Sequence, residues 1–144
     1  MEAKIKLEPN PKNRCFGCGG ANEAGMKLAF EQDNQRQRIT GRFRLGEKYQ
    51  GGGEMAHGGI IALLLDEVMG KVLKFREERG VTAQLKIDYL KPVSVTEEIF
   101  LEGWQEDSNG RNRFLVGEIR NLEDVVLARA HGRFVVFTEP KAIV

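Results

Sequence analysis

The period of the apolar residues changes along this chain, and the changes divide it into elements. From Met26, "MKLAFEQD" and "RQRITGRFRL" read as two strands around a polar turn at Asp33–Gln35. "GEKYQGGGEMA" carries no period and reads as a Gly-rich loop. From His57 to about Arg79 the chain reads as one helix, with Gly80 as its C-terminal stop. In "VTAQLKIDYL", Val81, Ala83, Leu85, Ile87 and Tyr89 alternate with Thr82, Gln84, Lys86 and Asp88, the pattern of a strand buried on one face, and Pro92 ends it. "EEIFLEGWQED" and "RNRFLVGEIRN" flank Ser108-Asn109-Gly110, a strong hairpin signal. A turn at Asn121–Asp124 leads into the last strand, "VVLARAHGRFVVF". Ahead of all this, Pro9, Pro11 and the glycines at 17, 19, 20 and 25 make residues 1–26 an extended arm followed by a turn-rich loop. Residues 1–144 are therefore expected to form a single domain: two strands, one long helix, four strands.

The helix carries the architectural argument. About 22 residues make it roughly 33 Å long. Ile60, Ile61, Leu63, Leu64, Leu65, Val68, Met69, Val72, Leu73 and Phe75 point in every direction around it. A helix apolar on all sides is buried economically only when an antiparallel sheet curls around it. That is an α+β fold.

Composition narrows the function. Lys plus Arg (22) nearly balances Asp plus Glu (21), for a formal net charge of +1. This gives no bulk electrostatic reason to expect a nucleic-acid partner. With 30% charged and 41% apolar residues the chain is not expected to be disordered. No apolar run approaches the roughly 20 residues that span a bilayer, and "MEAKIKLEPNPKNR" lacks the pattern of a secretion signal. A soluble cytoplasmic protein with no membrane partner is the expectation.

Cys15 and Cys18 are the only cysteines, and His57 and His131 the only histidines. A structural zinc site wants four Cys or His ligands, which one chain supplies only by recruiting both histidines, or two chains by pairing their C-x-x-C turns. A redox pair would sit between a strand and a helix start. The plainer reading is two mostly buried thiols shaping a tight turn, with no metal.

Asp66 and Glu67 are the anomaly, two adjacent carboxylates inside an apolar helix. Asp66, among Leu63, Leu64, Leu65, Val68 and Met69, must be paired, protonated or facing a cavity. Burial favours its protonated form, which suits a group that takes a proton from water near neutral pH. An ion pair with a Lys or Arg at the core edge is the structural alternative, and Glu67 is assigned mostly to that role. Gly58 and Gly59 open the helix, where unpaired N–H groups and the helix dipole suit an oxyanion. The alternative there is small residues chosen for packing. His57 is read as a helix cap rather than a base, and His131 as an ordinary sheet residue. His57 and Asp66 are nine residues apart, about 900° of rotation, which places them on opposite sides of the helix and roughly 13.5 Å apart. If Gly58 and Asp66 serve one reacting group, they come from two subunits.

The order of strand, Gly-rich loop, "HGGIIALLLDEVMG" and "TAQLKIDYLKPV" resembles the hotdog-fold acyl-CoA thioesterases, in particular the branch of the phenylacetic-acid-pathway and 4-hydroxybenzoyl-CoA thioesterases. The likeness runs from about Cys15 to Phe137, and "CFGCGGANEAGMKL" resembles an N-terminal motif of one sub-branch. The resemblance implies a homodimer, often a dimer of dimers, that hydrolyses acyl-CoA thioesters with no cofactor beyond the coenzyme A of the substrate. It implies that Gly58 presents its N–H to the thioester carbonyl and that Asp66 is the catalytic carboxylate. It puts Thr82 near the attacking water, and Gln50 is the only candidate for a polar contact upstream of the His. His57 completes the catalytic group. Gly59, Gln50, Glu67 and Lys91 are the expected substrate contacts. Lys91, Arg111, Arg113, Arg129 and Arg133 all remain open as ligands of the coenzyme A phosphates. A non-catalytic acyl-thioester binder and a hotdog dehydratase are the rival readings.

Overall fold

A computed structural model describes residues 3–138. Seven strands form one antiparallel sheet: β1 (Lys4–Leu7), β2 (Phe30–Asp33), β3 (Arg38–Phe43), β4 (Gly80–Tyr89), β5 (Ile99–Asn109), β6 (Asn112–Arg120) and β7 (Val126–Val136). Their spatial order is β1-β2-β3-β5-β6-β7-β4, and the helix α1 (Gly58–Val72) lies on the face they curl around. This is the hotdog arrangement expected above. The expected count differs by one, because the N-terminal arm contributes β1, which pairs with β2 through Leu7 and Phe30. Its apolar signal is too short to declare a strand.

Packing explains why the helix sits where it does. Leu64, Leu65, Val68 and Met69 are fully buried, as are Ile39, Ile99, Leu101, Leu115 and Ile119 on the sheet. Register aligns Gly103 with Gly117 and Gly117 with Ala130, a row of small residues across the middle strands, with Ile39 beside Gly103. A methyl at Gly103 would fall 2.7 Å from the Val68 carbonyl oxygen, so the helix backbone lies directly on that glycine. Each buried Leu or Val in this layer is worth about 1.5–3 kcal/mol of transfer free energy.

Two sequence expectations are corrected. The helix ends at Val72, continues as a 3-10 turn over Leu73–Arg76, and stops at Glu77, which takes a left-handed φ of 53°. The Glu78 N–H returns to the Leu73 carbonyl at 3.0 Å and closes the end. Gly80 is not the stop but the first residue of β4, where an added methyl would meet the Val135 carbonyl oxygen at 2.4 Å. Nor is the apolar face of β4 fully covered: Val81 is 51% exposed and Tyr89 54%. β4 is an edge strand with nothing beyond it in the described chain. The hairpin at Gly110 and the turn at Asn121–Asp124 fall where the sequence put them.

Candidate active site

His57 is the N-cap of α1, and its ring Nδ1 accepts the Gly59 N–H at 2.9 Å. The loop before it is pinned by a bridge between Gln50 and Ala56 and by the His57 N–H donating to the Tyr49 carbonyl at 2.9 Å. Gln50 therefore sits at the neck of the loop that delivers the helix start, exposed to solvent. The cap changes the account of the two glycines: His57 occupies the Gly59 N–H, while the Gly58 N–H has no partner among the described residues. Both glycines are exposed. The Gly58 carbonyl accepts a hydrogen bond from the Tyr89 hydroxyl at 2.9 Å. Tyr89 is a contact that the alternation of β4 suggested only as a packing residue.

Two turns further along, the Thr82 hydroxyl donates to Asp66 Oδ1 at 2.6 Å. Strict alternation would have sent Thr82 to the face of Gln84, Lys86 and Asp88, away from the helix. A register shift between Thr82 and Gln84 leaves Ala83 unpaired against β7 and reverses the phase of the strand there. The bulge turns Thr82 toward the helix and Val81 out to solvent. Asp66 is half-buried and makes no ion pair among the described residues. With Thr82, Lys71, Lys74, Arg79 and Phe134 it lines an open cleft of about 430 Å³. Burial, together with the charges of Lys71 and Arg79, pushes the Lys74 ammonium below its ordinary value.

The expected placement of His57 and Asp66 on opposite sides of the helix does not by itself part Gly58 from Asp66, since both reach β4, one through Tyr89 and the other through Thr82. Eight residues of helix, about 12 Å of rise, keep them apart along its axis.

Glu67 also departs from expectation. It forms no ion pair among the described residues; its Oε1 accepts from the Cys15 thiol at 3.5 Å, so the turn of the N-terminal loop covers it. Lys91 lies exposed just past the end of β4. Arg113 is held by Glu78, Arg129 by Glu118, and Arg133 donates to Asn112. Arg111 is exposed and His131 lies exposed on β7.

The thioesterase superfamily model matches residues 53–128, which covers the helix and the strands β4, β5 and β6, and the chain belongs to that superfamily. Acyl-coenzyme A thioesterase THEM4 of Rattus norvegicus is 29% identical over 128 residues, 88% of this chain and 55% of that protein. The chain thus spans little more than half the length of the curated relatives it matches. The crystal structure of RHA08564, a thioesterase superfamily protein, is 30% identical with a TM-score of 0.78, covering 85% of this chain and 60% of that one. A hypothetical thioesterase of Streptococcus pneumoniae with coenzyme A shares the fold at 22% identity and a TM-score of 0.66, covering 69% of this chain and 80% of that one. A protein of the same description has also been crystallised with an Asp, and separately with a Thr sixteen residues further on, replaced by Ala.

Proposed function

We propose that this protein hydrolyses acyl-CoA or related thioesters to the free acid and thiol, at a site shared by two copies of the chain. The observation that carries the reading is Asp66, an acid inside a largely apolar helix, with a hydroxyl for a partner, beside an open cleft and with no cation paired to it among the described residues. Such a carboxylate is available to take a proton from water or to attack a carbonyl itself. Thr82 donates to one carboxylate oxygen and leaves the other for water or substrate. The Gly58 N–H, at the positive end of the helix, stabilises the negative charge that develops on the thioester oxygen. Because the two groups are about 12 Å apart along one helix, Gly58 of one copy works with Asp66 of the other. The edge of β4, with Val81, Tyr89 and Leu90 exposed, is the surface through which two copies join about a two-fold axis. Further pairing of dimers is compatible with the same chain. Lys71, Lys74 and Arg79, on a lining that also carries Asp66, Glu67 and Glu78, are the cations this cleft offers to a polyanionic coenzyme A ester. The Asp and Thr replaced in the streptococcal protein have the sequence spacing of Asp66 and Thr82. No helix among the described residues is long and apolar enough to cross a membrane, and two unpaired thiols suit a reducing cytoplasm.

His57 speaks against the dehydratase reading, since its Nδ1 holds the Gly59 N–H and the neutral ring then carries its proton on Nε2, so neither nitrogen is free to act as a base. A panel of short, medium, long and aryl acyl-CoAs, read by free-thiol release, tests the proposal. Hydrolysis is expected for at least one class, and Asp66→Asn is expected to lower it at least about a hundredfold with folding intact. Equal turnover in the variant would overturn the role of Asp66; binding without thiol release would favour the non-catalytic reading, and an enoyl product the dehydratase.

A further inference from the structure

The N-terminal turn holds a second concentration of chemistry. Cys15, Cys18 and Glu67 each offer one ligand atom, and those atoms all lie within 4.8 Å of one another in a half-buried position. Two come from a Gly-rich loop and the third from the middle of α1, 52 residues after Cys15. We propose that Cys15, Cys18 and Glu67 form a metal site for a thiophilic divalent ion of the zinc class, with water in the fourth position. The proposal stands on this geometry alone and needs nothing from the thioesterase reading.

The distances suit the ion. With Zn–S of about 2.3 Å and Zn–O of about 2.0 Å, two tetrahedral ligands stand about 3.5 Å apart. Cys15 Sγ lies 3.5 Å from Glu67 Oε1. The turn that presents the sulfurs is built before any ion arrives. The Gly19 N–H closes onto the Cys15 carbonyl at 2.9 Å, and the Cys15 N–H donates to Asn13 Oδ1 at 2.7 Å. The Met26 and Leu28 N–H groups hold the Phe16 and Gly17 carbonyls at 2.7 and 2.9 Å. An added methyl on Gly17 would come within 2.4 Å of Glu67 Oε1, so the glycine is what lets the carboxylate reach over the turn.

Binding releases the two thiol protons to solvent, and the resulting complex of two thiolates, one carboxylate and the ion has a net charge of minus one, facing Lys71. The sequence alone favours two structural thiols because a set of four Cys or His ligands would have to recruit both histidines; the third donor is a carboxylate, which spacing of Cys and His does not reveal. Glu67 adjoins Asp66, so the ion would clasp the N-terminal loop to the helix one residue from the acid.

Titration of the reduced full chain with Co²⁺ tests this directly. One equivalent per chain is expected, with thiolate-to-cobalt charge-transfer absorption that Zn²⁺ displaces. Cys18→Ser should abolish that absorption. Glu67→Gln should retain it and weaken binding at least tenfold. No charge-transfer band in the reduced wild type, a band unchanged in Cys18→Ser, or equal affinity in Glu67→Gln would each overturn the proposal. Because the reading is spectroscopic, loss of thioester hydrolysis neither imitates nor conceals the result.

Discussion

Glu118 and Asp66 are both acids in a largely apolar molecule, and their surroundings could hardly differ more. Glu118 is 3% exposed and lies between Arg120 Nη2 at 2.7 Å and Arg129 Nη2 at 2.6 Å, joining β6 to β7. Burial pushes its carboxyl up, but the hydrogen bonds from the two arginines outweigh that and hold it below its ordinary value. Asp66 has a hydroxyl for a partner and an open cleft beside it. An acid saturated by cations can only hold structure. One left to a hydroxyl retains the capacity to react.

The largest effect should come from the saturated acid. Glu118→Ala removes the partner that Arg120 and Arg129 share and should cost about 3 kcal/mol of stability by urea denaturation. Hydrolysis by the folded remainder should stay within a few-fold. Acid should reproduce part of this loss, together with that of Glu78, which hydrogen bonds from Arg113 hold below its usual range. Both folded-state values lie below the unfolded one, so this stability is complete above the unfolded carboxylate value of about 4.3 and fades as the pH falls through the folded values. The urea midpoint followed from pH 6 to about 3 reads it, and a flat profile would break the assignment.

Asp66→Asn should do the reverse: at least about a hundredfold loss of thiol release, near 2.7 kcal/mol of barrier, with the urea midpoint barely moved. If the two variants behaved alike, the contrast would be false. Next in size, Val81→Asp with Leu90→Asp should weaken self-association at least about tenfold in sedimentation, since charge at the centre of an apolar contact is poorly tolerated. Hydrolysis should fall in parallel, and activity in the dissociated chain would refute the shared site. Smallest is Thr82→Val, which removes one hydrogen bond to the acid and should cost about 1.5 kcal/mol, near tenfold in turnover. Its stability should change little.

Most of the architecture could be read from periodicity. The hairpin at Gly110 and the edges of β5, β6 and β7 follow from alternation and turn chemistry, which are local properties. The helix end was misread because Gly80 is the obvious stop, whereas the chain turns at Glu77, a residue with no propensity for a left-handed φ. Asp66 stood out as a polar residue in an apolar row. Its contact with Thr82 came only from resemblance, since the alternation of β4 argued against it and a bulge leaves no mark in composition. Tyr89 and the Cys15–Glu67 contact were missed because each joins residues far apart in sequence by one hydrogen bond.

Ala83 shows what irregularity contributes. Were it taken into the ladder instead of left over, every residue ahead of it in β4 would turn over, with the hydroxyl of Thr82 pointing into bulk water and Val81 at the helix. One surplus amino acid thus sets the trade between a tidy framework and a useful one.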